Sequence, residues 1–451
     1  MKKRWIAALA VPIAALAWAW QASGLSAAYV THGPPVAAGI GAKLLCSAEF
    51  VMAAPRDQAW EDVVQYSPIL EQLHVEYDRD ARSVTASFWG LSTRTASFID
   101  GLGCAIDFSP TDERRAMTTR AAVTKSSLPW PAGEQVATFN PAIQALTDEL
   151  VALDNQQDLN TRALLVVHNG QIVAETYAQG VTRTTPLLGW SMAKSLTAIM
   201  LGNLEMRGLL NPQRQPVFTA WASDARAAIG LTDLLTMTDG LAFEETYEPG
   251  DDATQMLFLA PSASDYALQV ASGKPPGVTF NYSSGTANLL ARLHRDILGS
   301  PQAAYDDFLT HVYEPMGMQH GVLEVDASGT FVGSSYFYAS ARDWARMGQL
   351  MLNGGVLNGE RVVTQAWVKR ATTPNGSNNY RAYGYQWWLN RGNEALRYAD
   401  LPEDAFFANG NRQQTTMVLP SHNAVIVRLG WTDTLYPIND RFSRILDMLQ
   451  L

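Results

Sequence analysis

Ser191 and Lys194 stand three residues apart in Gly189-Trp190-Ser191-Met192-Ala193-Lys194-Ser195-Leu196-Thr197-Ala198. A serine hydroxyl is a poor nucleophile at neutral pH, so chemistry at serine needs a base within hydrogen-bond reach. An i,i+3 pair on a helix supplies that proximity. Lysine can be the base once desolvation and a cationic or hydroxyl-rich neighbourhood draw its pKa from about 10.4 toward neutrality. Met192, Leu196, Ile199, Met200, Leu201 and Leu204 make the helix apolar nearly all round, as in a buried helix. The competing reading is a serine that only caps the helix and a lysine that snorkels to solvent. The rest of the chain has to separate the two.

Two later segments carry complementary groups. In Pro275-Pro276-Gly277-Val278-Thr279-Phe280-Asn281-Tyr282-Ser283-Ser284-Gly285 a turn delivers Tyr282 just ahead of a helix. A phenol beside an ammonium has its pKa lowered and can act as acid or base for a leaving group and for water. The plainer alternative is a packing aromatic with Ser284 as N-cap. In Ala405-Phe406-Phe407-Ala408-Asn409-Gly410-Asn411-Arg412-Gln413 a glycine opens an edge strand and lets substrate approach the backbone. A backbone N–H there, with Asn411 the candidate, can pair with the Ser191 N–H as an oxyanion hole. The alternative is an ordinary Asn-Gly turn.

In this order and spacing the three segments resemble the serine beta-lactamase and penicillin-binding-protein superfamily, with its Ser-x-x-Lys, Tyr-x-Asn or Ser-x-Asn, and Lys-Thr-Gly motifs. The closer likeness is to the class C beta-lactamase-like branch that includes esterases and 6-aminohexanoate-dimer hydrolases. Leu234-Leu235-Thr236-Met237-Thr238-Asp239-Gly240-Leu241, Pro315-Met316-Gly317-Met318 and Ser340-Ala341-Arg342-Asp343-Trp344-Ala345-Arg346-Met347-Gly348 support it, over about residues 140–450. The resemblance implies an acylated nucleophile at Ser191, its base at Lys194, a proton relay at Tyr282, and hydrolysis of the acyl-enzyme by water. It also implies that Tyr247, in Phe243-Glu244-Glu245-Thr246-Tyr247, touches substrate. The chain departs from the pattern at Ser284, where beta-lactamases carry asparagine, and at Ala408-Asn409-Gly410 in place of Lys-Thr-Gly. The missing lysine normally helps hold a substrate carboxylate, so a less charged ester or amide fits better than penicillin or a D-Ala-D-Ala peptide. Ser284, Asn409 and Gly410 remain candidate substrate contacts, and Arg412 can replace the lost charge.

The elements that must position these residues are legible as hairpins and helices. Asn140-Pro141 starts a helix to about Leu153, with N-cap asparagine and proline in the first turn. Ala163 to Tyr177 reads as two strands joined near Asn169-Gly170. Gln413–Leu419 and Asn423–Leu429 form a second pair around Pro420-Ser421, and a last helix runs from about Ile438. Strands from both ends of this domain are expected in one antiparallel sheet flanked by helices, with the middle helices forming a lobe and the Ser191 helix opening into the cleft between. The fold class is thus α/β (α+β), of the beta-lactamase/transpeptidase-like kind. The expected organisation is a signal peptide or anchor at 1–28, a small strand-rich element at 43–108, a linker at 109–139 and the hydrolase domain at 140–451.

Composition sets outer limits. The 451 residues are 47% hydrophobic and 17% charged, an ordered globular balance, and a net charge of −10 without a basic stripe argues against nucleic acid. Lys2-Lys3-Arg4 ahead of an apolar run from Trp5 to Trp20 has the layout of a secretory signal or membrane anchor, implying a periplasmic or inner-membrane location. No other stretch reads as a membrane span. In an oxidising compartment Cys46 and Cys104, flanking the same strand-rich segment, are expected to form a disulfide. No histidine pairing suggests a metal, and no cofactor is expected. Two other functions stay open: an envelope ligand-binding or sensor protein that acylates without turnover, and an α/β-hydrolase using Ser191 with His422 as base and Asp400 or Asp404 behind it. The second suits hairpin strands poorly and leaves Lys194 idle.

Overall fold

The computed structural model describes residues 27–108, 112–121 and 127–450. The charged and apolar leader, and parts of the stretch expected as a linker, lie outside these residues. The described chain opens with α1 (Ala27–Ser47), which contains Pro34 and Pro35. It packs on a four-stranded antiparallel sheet, β1 (Leu73–Asp78), β2 (Ser83–Phe88), β3 (Ser92–Ile99) and β4 (Gly103–Ile106), whose strands lie in sequence order. Between α1 and β1 the chain makes a helix, Arg56–Val64, and a short turn, Pro68–Gln72.

α1 is wedged rather than appended. A side chain at Gly41 would lie 2.6 Å from Leu73 Cδ1, and one at Gly39 would lie 2.8 Å from the Phe258 carbonyl oxygen. Bare backbone at these two positions lets the helix fit between the sheet and the helix Asp252–Phe258. Buried Lys43 pairs with buried Glu324, whose carboxylate also accepts from Ser47 Oγ at 2.9 Å and from the Cys104 N–H at 2.7 Å. Cys46 and Cys104 are disulfide-bonded, with Cα atoms 6.0 Å apart. Together with the turn that follows it, Tyr29–Met52 is long and apolar enough to cross a membrane, which corrects the expectation that no stretch beyond the leader is. Most of it is buried in the fold, so its apolar character is accounted for by packing.

The main sheet has six antiparallel strands. In chain order these are β5 (Thr161–His168), β6 (Gln171–Tyr177), β7 (Trp388–Leu389), β8 (Phe406–Gly410), β9 (Gln414–Leu419) and β10 (Ala424–Gly430), arranged β7-β8-β9-β10-β5-β6. The last hairpin thus pairs with the first, as expected. Asn169 and Gly170 both take positive φ, the turn geometry that their dipeptide favours. One face carries α2 (Pro141–Gln156) and the C-terminal helix Ile438–Leu449, with Leu150, Ile426, Phe442 and Ile445 in their shared core. Asn140 Oδ1 caps α2 by accepting from the Ala142 and Ile143 N–H groups at 3.0 and 3.2 Å.

The other face packs on α5 (Ala341–Leu352), and α3 (Ala193–Met206) packs against α4 (Ser284–Leu298) in the helical part. Val36 and Leu45 of α1 share one hydrophobic cluster with Met192, Leu196, Trp344 and Val427, so the N-terminal segment and the main body have a common core. The described part of residues 109–139 is strapped to the body as well. Arg346 donates to the Pro131 carbonyl at 2.8 Å and to Glu134 at 2.8 Å.

Candidate active site

Ser191 sits in a 3₁₀ turn, Trp190–Met192, that leads directly into α3. The two-residue strand Leu187–Leu188 pairs with Phe337–Ala339, and the Gly189 N–H donates to the Phe337 carbonyl at 3.0 Å, which anchors the turn from behind. Trp190 has φ 48°, a left-handed backbone that a bulky residue rarely adopts, immediately before the serine. Lys194 falls one turn on, 1% exposed. Its Nζ lies 3.0 Å from Ser191 Oγ and 3.1 Å from Ser284 Oγ and donates to the Ser334 carbonyl at 3.0 Å. Burial draws its pKa down to about 8, against the opposing pull of the Glu245 charge. The lysine is therefore buried and aimed at the serine, not snorkelling.

Tyr282 enters from the turn ahead of α4. Its ring stacks on Trp388 at 5.1 Å and lies 4.8 Å from Lys194 Nζ. Burial pushes the phenol above its ordinary value, more than the Ser191 hydrogen bond pulls it down. This corrects the expectation of a lowered pKa: loss of solvent, with the Glu245 charge adding to it, outweighs the pull of Ser191 and of the Arg397 charge. Ser283, not Ser284, caps α4, accepting from the Thr286 N–H at 3.0 Å. Ser284 is thereby freed to face the site, bonded to Lys194 on one side and Glu245 on the other.

Glu245 is the residue that sequence reasoning missed. Its carboxylate accepts from the Ser284 N–H at 2.6 Å, from Ser284 Oγ, and from Tyr247 Oη at 2.8 Å. Tyr247 Oη also lies 3.3 Å from Ser284 Oγ, so the loop aromatic reaches the cluster while the residue as a whole stays 46% exposed. Two consecutive glutamates before Tyr247 were the only available signal, and they do not say which one turns inward.

β8 supplies the opposite wall. Strand pairing on its outer side stops at Phe407, leaving Ala408–Gly410 open toward the serine. A side chain at Gly410 would meet the Gly189 carbonyl at 2.0 Å and the Ser191 nitrogen at 3.2 Å, so only glycine admits this approach. Asn409 turns its side chain toward Thr415, whose hydroxyl donates to it at 3.2 Å. Asn411 Oδ1 accepts from Tyr66 Oη at 3.1 Å. Arg412 adopts φ 58° and is 9% exposed, its guanidinium stacked 4.3 Å over the Tyr66 ring. That placement corrects the expectation that Arg412 stands in for the missing cation, because its charge is engaged by the N-terminal segment and does not line the cleft.

His422 lies in the turn between β9 and β10, about 20 Å along β9 from the Ser191 end at 3.3 Å per residue. It contacts Ser421 and Gln450, while Asp404 accepts from Ser421 and Asp400 from Asn439. None of the three is among the residues bonded to Ser191 or Lys194, so the triad alternative fails on geometry. Among the described residues no cluster of histidine, cysteine or carboxylate ligands could hold a metal.

A cavity of about 580 Å³ opens in front of Ser191, bordered by Trp190, Tyr247 and Asn411. A serine turn with a buried lysine 3.0 Å from its hydroxyl thus lies against an open strand edge, beside a sheet flanked by helices. The beta-lactamase family model matches residues 142–445, and the chain belongs to that family. It is 26% identical over 320 residues to a 6-aminohexanoate-dimer hydrolase of Paenarthrobacter ureafaciens, covering 64% of this chain and 78% of the relative. A family VIII carboxylesterase shares the fold with a TM-score of 0.55 at 14% identity, covering 69% of this chain and 99% of that one. A class C beta-lactamase does so with a TM-score of 0.52 at 15% identity, over 68% and 96% respectively.

Proposed function

We propose that this protein is a serine hydrolase that cleaves a small ester or amide through an acyl-Ser191 intermediate. The observation that carries the reading is the buried Lys194 amine, with a pKa near 8, 3.0 Å from the Ser191 hydroxyl. Lys194 takes the serine proton as Oγ bonds to the substrate carbonyl carbon, and the N–H groups of Ser191 and Asn411 hold the resulting oxyanion. The proton passes through Tyr282 to the leaving alcohol or amine as its bond to carbon breaks. A neutral phenol, kept protonated by burial, suits a relay that gives one proton as it accepts another. Water then attacks the ester, releases the acid, and restores the serine. Tyr247 and Ser284 border the acyl carbon, with Asn409 and Gly410 along the open strand edge. The Cys46–Cys104 bridge supports export to an oxidising compartment.

A fluorophosphonate probe tests the nucleophile. Intact mass and peptide mapping of the full chain should find one adduct, on Ser191, and Lys194→Ala should lose it. Absence of an adduct on folded protein would refute the acyl-enzyme reading. A product burst without sustained turnover would instead support the ligand-binding alternative.

A further inference from the structure

The cavity in front of Ser191 does not end at the reacting serine. It runs beneath α1, where Gly33, Val36, Ala37, Ile40 and Leu44 line it. These recur every three or four residues, a single stripe along the helix. Leu257 and Phe258 face that stripe, with Ile69 and Leu70 closing the side. At 1.5 Å per residue, Gly33 to Leu44 spans about 16 Å, the reach of an aliphatic chain of roughly twelve carbons. The end near Lys43 is the end close to the serine, because Lys43 lies 3.9 Å over the Tyr336 ring and Tyr336 packs 6.1 Å from Trp190. Among the described residues no lysine or arginine lines the cavity, and the one charged residue that does, Glu248, is exposed. The Arg412 guanidinium is held against Tyr66.

We infer that this groove is the acyl subsite, and that the substrates are esters or amides of uncharged medium-to-long aliphatic acids whose chain lies along α1. The inference rests on the serine hydrolase reading and specifies its substrate class. An apolar wall with no cation gives a methylene chain a dry surface and gives a distal carboxylate no partner, which is the opposite of a site for penicillins. The N-terminal segment thereby becomes part of the substrate site: α1 forms the length of the groove, and Tyr66 orders the strand edge beside the carbonyl.

The test uses the full-length protein and p-nitrophenyl esters from acetate to palmitate. At about 0.8 kcal/mol per buried methylene, kcat/KM should rise roughly two- to fourfold per added carbon and level off near twelve. Ile40→Trp, close to the serine end, should cut the laurate-to-acetate ratio at least tenfold. Gly33→Leu, at the far end, should penalise laurate and spare the octanoate-to-acetate ratio. A side chain there is accommodated, since the nearest atoms to its first carbon lie at 3.7 Å or more. Should either variant fail to fold, alkyl fluorophosphonates of increasing length on the wild type read the same preference as labelling rate, independently of turnover.

A flat length series with Ser191 still labelled would overturn the groove and leave the hydrolase reading intact. Preference for a 6-ammoniohexanoyl ester over its uncharged counterpart would also overturn it, and would point to Glu248 as the receptor of a cation. No labelling by any probe would remove the serine chemistry and the groove together.

Discussion

At the scale of single residues, the site depends on two buried groups whose pKa values move in opposite directions for one reason. Loss of water disfavours charge, so the Lys194 ammonium gives up its proton more readily and the Tyr282 phenol holds its own more tightly. With its pKa near 8, Lys194 is mostly protonated below that pH. On an uncharged ester, kcat/KM should therefore climb about tenfold per pH unit up to pH 8 and flatten above it. Glu245 opposes the shift through its negative charge, so Glu245→Gln should move the inflection to lower pH and also weaken turnover by loosening Ser284. An unchanged inflection would rule out that electrostatic role. The same lysine affects stability: between about pH 8 and 10.4 the unfolded chain binds the proton that the folded one has lost. Stability should thus rise with pH across that window, by up to about 3 kcal/mol. Denaturant melts of Lys194→Met should lack this increment.

At the scale of elements, each candidate side chain is aimed by a neighbour that the sequence does not advertise. A three-stranded sheet holds Gly189 from behind, Ser283 caps α4 so that Ser284 can face inward, and the missing side chain of Gly410 lets β8 close on the serine turn. α1 is anchored by Lys43 and Glu324, both within 2% of full burial. Removing one partner leaves the other charge without water or counter-ion, a loss of about 3–5 kcal/mol for a buried pair. Glu324→Gln should accordingly lower the unfolding free energy by that order, read from a fall in the denaturant midpoint at unchanged m. Near-wild-type stability would mean that α1 is held by its apolar contacts alone. Sequence reading placed the α2 start, both hairpins of the main sheet and the last helix closely, because each has a local signal: an Asn-Pro cap, an Asn-Gly turn, short apolar runs bounded by turn residues. It missed α1, because Pro34-Pro35 and three nearby glycines normally punctuate a helix.

At the scale of the molecule, the N-terminal segment and the beta-lactamase-like body share one core, from Val36 of α1 to Val427 of the central sheet. Two independently stable domains would melt separately, whereas a shared core couples them. Tryptophan fluorescence and far-UV circular dichroism should therefore report one coincident thermal transition for the full chain. Two resolved transitions would contradict the coupling. The same arrangement gives the family's cleft a wall that residues 142–445 do not contain.

The grouping of Ser191, Lys194, Tyr282 and the Gly410 strand was recognisable in the chain because it follows short local patterns, and local patterns survive without tertiary information. The fold class followed likewise from hairpins and caps that form through near neighbours. Glu245, Tyr66 and the stripe along α1 were beyond such reading. Glu245 meets Ser284 across 39 residues, and Tyr66 meets Asn411 across 345. Contacts of that kind arise only when the whole core closes, since burial decides which of several similar side chains turns inward and which helix faces the substrate.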